Sequence, residues 1–184
     1  MPDLNAIGLV ELSSIAAGYL VADAMLKVAD VSLLLSRSIC SGKYIVMIGG
    51  DVAAVRSSVD AGTAAATGMV IDTFVIPNVH AGVFPAIAGT AGTEMLGALG
   101  IVESFSVASL VEAADAAVKT ARVTLLEIRL AMALGGKAFA TMTGDVAAVT
   151  AAVDAAASVC AERGLLVNRV VIPNPRKELM KELI

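Results

Sequence analysis

The feature that most restricts this chain is that it spells one pattern twice. Ile7-Gly8-Leu9-Val10-Glu11 returns as Leu99-Gly100-Ile101-Val102-Glu103, and Ala22-Asp23-Ala24 with Lys27 returns as Ala114-Asp115-Ala116 with Lys119. Gly50-Asp51-Val52-Ala53-Ala54-Val55 returns as Gly144-Asp145-Val146-Ala147-Ala148-Val149, and Val75-Ile76-Pro77-Asn78 as Val171-Ile172-Pro173-Asn174. The offset grows from 92 (Gly8 to Gly100) through 94 (Asp51 to Asp145) to 96 (Pro77 to Pro173). The second copy has therefore gained two residues before its hairpin turn and two near the end of its second helix. Such a repeat calls for one supersecondary unit built twice. The small-residue stretch Ala88-Gly89-Thr90-Ala91-Gly92-Thr93 reads as the join, which divides the chain into domains 1–90 and 91–184.

Each copy reads as β-α-β-β-α-β-α. A short apolar strand (7–12; 99–105) leads into a helix opened by Ser14 or Ser106, whose hydroxyls suit the free amides of a first turn. Ile15, Leu20, Val21, Ala24, Met25 and Val28 make a roughly helical stripe. Two β-rich runs, 31–39 and 44–48, flank a polar link and read as a hairpin. Asp51 and Asp145 are placed to cap a second helix against its dipole, and Gly68 and Gly164 to close it as C′ glycines. A last strand (69–76; 165–172) ends at Ile-Pro, because proline gives a sheet no donor. Short tail helices are expected over 81–87 and 176–184. The order specifies an α+β fold, an antiparallel or mixed sheet with its helices packed on it.

Composition matters at two points. Hydrophobic residues make up 58% of the chain, which raises the membrane question. Yet the longest uncharged stretch, 73–93, holds Pro77, Pro85, Asn78 and His80 among several glycines, too many breakers for a spanning helix of about 20 residues. Small aliphatic side chains on this scale suit surfaces buried between subunits as well as a core, so a soluble oligomer is expected. The net charge of −4 argues against nucleic acid, which demands a basic stripe. The two cysteines, Cys40 and Cys160, make no disulfide framework.

Cys40 sits in the link Cys40-Ser41-Gly42-Lys43, at the hairpin tip. The equivalent turn of the second copy, Leu134-Gly135-Gly136-Lys137, has no cysteine. A lone cysteine is usually a small buried hydrophobe, but a glycine-bearing tip followed by Lys43 favours a reactive thiolate. Cys160, within an alanine-rich helical run, reads as core filler. His80, without a second histidine or cysteine nearby, reads as a loop or cap group. Lys27 and Lys119 stand four residues after Asp23 and Asp115, as in exposed i,i+4 ion pairs. Glu11 and Glu103 have no basic or nucleophilic partner in their own motif and read as structural, and no catalytic constellation is present.

Together these motifs resemble the bacterial microcompartment shell domain, and two of them in one chain resemble the tandem-domain shell proteins. The resemblance covers essentially the whole chain. It implies a non-enzymatic, cytoplasmic shell protein that forms homotrimers, six domains closing a pseudohexagonal tile that meets other shell proteins at its edges. Lys27 and Lys119 would then be edge lysines. Asn78 and Asn174 fall where many such domains carry an edge arginine, a departure that bears on lateral packing.

The Ser38–Lys43 segment is further similar to the pore loop of the cysteine-bearing T-type group of propanediol-utilisation compartments, although Ser41 replaces a proline. That resemblance implies a [4Fe–4S] cluster, one per trimer, held by Cys40 of each subunit, with Ser41, Gly42, Leu134, Gly135 and Gly136 lining the pore. A cubane normally takes four thiolates, so three leave one iron for an outside ligand. The implied role is electron transfer across the shell or cluster delivery, with an enclosed redox enzyme as a partner. The alternative is a metabolite-transport tile with an open, thiol-lined pore.

Overall fold

The computed structural model describes residues 5–92, 97–176 and 178–179. The chain divides into two compact units: one runs to residue 79 and includes 131–136, and the other holds 80–130 and 137 onward.

In the first unit β1 (Ala6–Leu12), β2 (Ser32–Ile39), β3 (Lys43–Gly50) and β4 (Val70–Pro77) form a sheet of order β2-β3-β1-β4. All its pairings are antiparallel, so the mixed alternative is set aside. Helices α1 (Ile15–Val28) and α2 (Val52–Ala65) pack together and on the sheet. The second unit begins with α3 (Val83–Ala88) and repeats the plan with β5 (Ala98–Ser104), α4 (Val107–Thr120), β6 (Thr124–Arg129), β7 (Ala138–Gly144), α5 (Val146–Glu162) and β8 (Leu166–Ile172). Its order is β6-β7-β5-β8, again antiparallel. Register repeats too: Arg37 faces Ile45 as Arg129 faces Phe139, and each edge strand shifts register near the same place.

The caps fall where expected. Ser14 and Ser106 accept from the amides of Ala17 and Ser109. Asp51 accepts from Ala53 and Ala54, and Asp145 from Ala148. We expect Asp51→Ala or Asp145→Ala to cost about 1 kcal/mol each in urea unfolding, with asparagine nearly neutral. Gly164 follows the α5 cap directly at φ 69°, whereas Gly68 (φ 84°) lies two residues beyond the α2 cap, Ala66. At 17 residues against 14, α5 absorbs the second insertion. The second tail helix lies mostly outside the described residues.

The apolar stripe of α1 is divided between core and surface. The buried face of α1 is Ala17, Gly18, Val21, Ala22 and Met25, while Ile15, Leu20 and Val28 of the expected stripe are exposed. The repeated strand glycine has a packing reason: a Cβ on Gly8 would stand 2.6 Å from Val59 and 2.7 Å from Val55. Gly100 stands in the same relation to Val153 and Val149. No helix among the described residues is long and apolar enough to cross a membrane.

Candidate functional site at the Cys40 turn

Between β2 and β3 the chain makes a single 3₁₀ turn, Cys40–Gly42. Ser41 (φ 66°, ψ 26°) and Gly42 (φ 70°) both take the left-handed conformation. Glycine adopts it freely, but a serine pays roughly 1–2 kcal/mol, so the turn is held by its surroundings. Residues 131–136 supply them, and they belong to the same compact unit. The Cys40 N–H donates to Ala131 O (2.8 Å), and the Ala133 N–H donates to Cys40 Sγ (2.7 Å). A Cβ on Gly136 would lie 2.9 Å from Ser41 Oγ, so only a bare backbone approaches that closely. Ala131 and Ala133 are themselves left-handed, as are Gly135 and Gly136.

Cys40 is therefore half-buried, with its sulfur accepting a backbone amide. Ser41 and Gly42 are exposed, Leu134 is half-buried, Gly135 exposed and Gly136 buried. Cysteine sulfur is the soft donor that iron prefers. Among the described residues no three His, Cys, Asp or Glu side chains of one chain gather as a metal site. Iron at Cys40 would thus be shared between copies of the chain, a donor set that fits a cluster only on an axis of symmetry.

Lys43 has a partner of its own. Its Nζ is bonded to Glu11 Oε1 at 2.9 Å, and the Glu11 side chain is fully buried. The second copy repeats the pair as Lys137 with Glu103, looser (3.5 Å) and more exposed. Both glutamates thus have a basic partner, one strand away, which their own motifs do not contain. The signal available in the sequence was the recurrence of Lys43 as Lys137 beside the recurrence of Glu11 as Glu103.

A second pair of repeated residues was missed. Arg37 and Arg129 are equivalents on the strands entering the two turns. Arg129 donates to Glu127 Oε1 and lies over the Phe139 ring, 5.4 Å from its centre. In the first copy Leu35 stands in place of Glu127 and Ile45 in place of Phe139. The Arg37 Nε is buried without a hydrogen-bond partner.

The other expected site residues have local settings of their own. Lys27 and Asp23 form an exposed pair (2.6 Å), but in the second copy Asp115 is buried and bonded to Lys119 (2.5 Å) and to the His80 N–H (2.8 Å). His80 is a cap group, its Nδ1 accepting from the Gly82 N–H at 3.1 Å. Asn78 (φ 51°) and Asn174 (φ 47°) are exposed and left-handed directly after the proline. Asparagine is the side chain that best tolerates that conformation, which gives a local reason for it in both copies. Cys160 is fully buried, as expected of core filler.

Comparison with known proteins adds three findings. The BMC domain model matches residues 6–79 and again 98–175. The chain is 46% identical, over 98% of both lengths, to the bacterial microcompartment shell protein PduT of Citrobacter freundii. It superposes with a TM-score of 0.86 on a crystal structure of a microcompartment protein from Desulfitobacterium hafniense, at 53% identity, covering 96% of this chain and 98% of that one.

Proposed function

The chain belongs to the BMC domain family, carries the domain twice and is a structural, non-enzymatic protein of a bacterial microcompartment shell; from this we propose that three copies form a pseudohexagonal tile with a [4Fe–4S] cluster bound by Cys40 of each subunit at its centre. In this reading residues 1–90 and 91–184 are the two shell domains. Ser41, Gly42, Leu134, Gly135 and Gly136 surround the passage, and Lys27, Lys119, Asn78 and Asn174 lie at the edge, where other shell proteins meet the tile. When bound, the cluster supplies one-electron chemistry, for transfer across the shell or for delivery to an enclosed redox enzyme. This chain's own residues hold the thiol in its turn and cover part of it with the backbone of 131–136.

The observation that carries this reading is the state of Cys40: a half-buried residue at a turn tip whose N–H is bonded to Ala131 O and whose sulfur accepts from the Ala133 amide. Such N–H···S bonds are a lever on iron–sulfur centres. Anaerobic purification tests it. Brown protein with about four irons and four sulfides per three chains, colourless in Cys40→Ser, is expected. Colourless wild-type protein from iron-replete cells would leave the open thiol-lined tile.

Assembly has its own support in the unequal faces of α1 and α4. Ile15 is 45% and Tyr19 67% exposed, whereas their equivalents Val107 and Val111 are fully buried. The face that is covered in one copy stands open in the other, as required if a further chain covers it. Tyr19→Asp is expected to turn trimer into monomer by light scattering after size exclusion, with circular dichroism unchanged. A Tyr19→Asp protein that stayed trimeric would remove α1 from the interface.

A further inference from the structure

We propose that Arg37 is the counter-charge for the anionic cluster at the Cys40 turn and so sets its reduction potential, an inference that rests on the cluster reading above. A guanidinium stays charged under all ordinary conditions, and burying part of it without a partner is costly. Arg37 is half-buried, its Nε is buried with no hydrogen-bond partner, and among the described residues no carboxylate forms an ion pair with it.

The duplication supplies an internal control. Arg129 occupies the equivalent place, with equivalent strand register, and is neutralised by Glu127 and stacked on Phe139. Both partners are lost only in the copy that bears the thiol, replaced by Leu35 and Ile45. Glu11, which shares the rung of Arg37 through Ile45, does not fill the gap, because it lies two strands away and is bonded to Lys43. The first copy thus keeps a cation that its own fold leaves uncompensated, three residues before Cys40 on the strand that runs into the turn. Three residues of strand span roughly 10 Å, and a partly buried charge is little screened over that distance.

A cubane ligated by three thiolates carries net negative charge, and each added electron makes it more negative. Three guanidinium groups around it therefore favour the reduced form. Arg37→Gln should lower the reduction potential, so that at the wild-type midpoint the ratio of reduced to oxidised cluster falls about tenfold, which is ~59 mV for a one-electron couple. Arg37→Lys, which restores the charge, should recover most of that shift.

The experiment is redox titration of anaerobically purified trimers followed by electron paramagnetic resonance, with iron content and the thermal midpoint of iron-free protein measured alongside. A lowered potential, or loss of iron in Arg37→Gln alone, with the iron-free midpoint equal to wild type or higher, supports the proposal. An unchanged potential, or a lowered iron-free midpoint without a potential shift, overturns it and makes Arg37 a structural residue. Wild-type trimers without iron would instead overturn the cluster reading, and the role of Arg37 with it.

Discussion

Lys43→Met is expected to cost about 3–5 kcal/mol in urea unfolding, because it strands the fully buried Glu11 carboxylate without its ammonium. Removing one member of a buried pair leaves a charge that the interior cannot solvate, and that penalty exceeds the net worth of the pair itself. The double replacement Glu11→Met with Lys43→Met should therefore regain most of the loss, since two apolar side chains need no counter-ion. The second copy sets the scale. Lys137 and Glu103 are 41% and 35% exposed and 3.5 Å apart, so Lys137→Met should cost no more than about 1 kcal/mol. Equal losses at Lys43 and Lys137 would show that burial does not set the difference. Lys43 opens the strand that leaves the cysteine turn, so Lys43→Met should also loosen Cys40, read as faster alkylation of the iron-free protein.

Gly18→Val is the second large effect. A Cβ at Gly18 would stand 2.2 and 2.3 Å from ring carbons of Tyr44, well inside contact distance. Tyr44 has little room to retreat: it is 3% exposed, its hydroxyl is bonded to Ser36 Oγ at 3.0 Å, and its ring lies 5.3 Å from that of Tyr19. Overpacking of this kind costs about 3 kcal/mol, measurable as a lowered urea midpoint with unchanged slope. Because Tyr44 touches Tyr19, Gly18→Val should also weaken the trimer proposed above, if it forms through the α1 face. Gly92→Ala, where a Cβ meets nothing within 4 Å, is the neutral control.

Much of the architecture was readable because duplication states each local signal twice. Ser14 with Ser106 and Asp51 with Asp145 are caps in both copies, and caps depend on a few neighbouring residues. The α1 stripe mixes two faces for a physical reason. Hydrophobic periodicity collects apolar residues along a helix, and it does not separate a core face (Val21, Met25) from an apolar face left open within the chain (Ile15, Leu20). The Glu11–Lys43 pair was hidden because its members are 32 residues apart and meet only through strand register. Gly42 announced the turn, but nothing local announced that Ser41 would share its left-handed conformation, since residues 131–136 impose it from far along the chain.

That last dependence reaches into how the protein is made. The first unit is not finished when its own strands and helices have emerged from the ribosome, because Ala131 and Ala133, the partners of Cys40, are translated about 55 residues after β4 ends at Pro77. At ribosomal speeds of about 5–20 residues per second the gap is roughly 3–11 s. During that interval the nascent chain holds a complete sheet with an unclosed loop and a bare thiol at its rim, so the cysteine is shielded only once nearly half of the second copy has been synthesised.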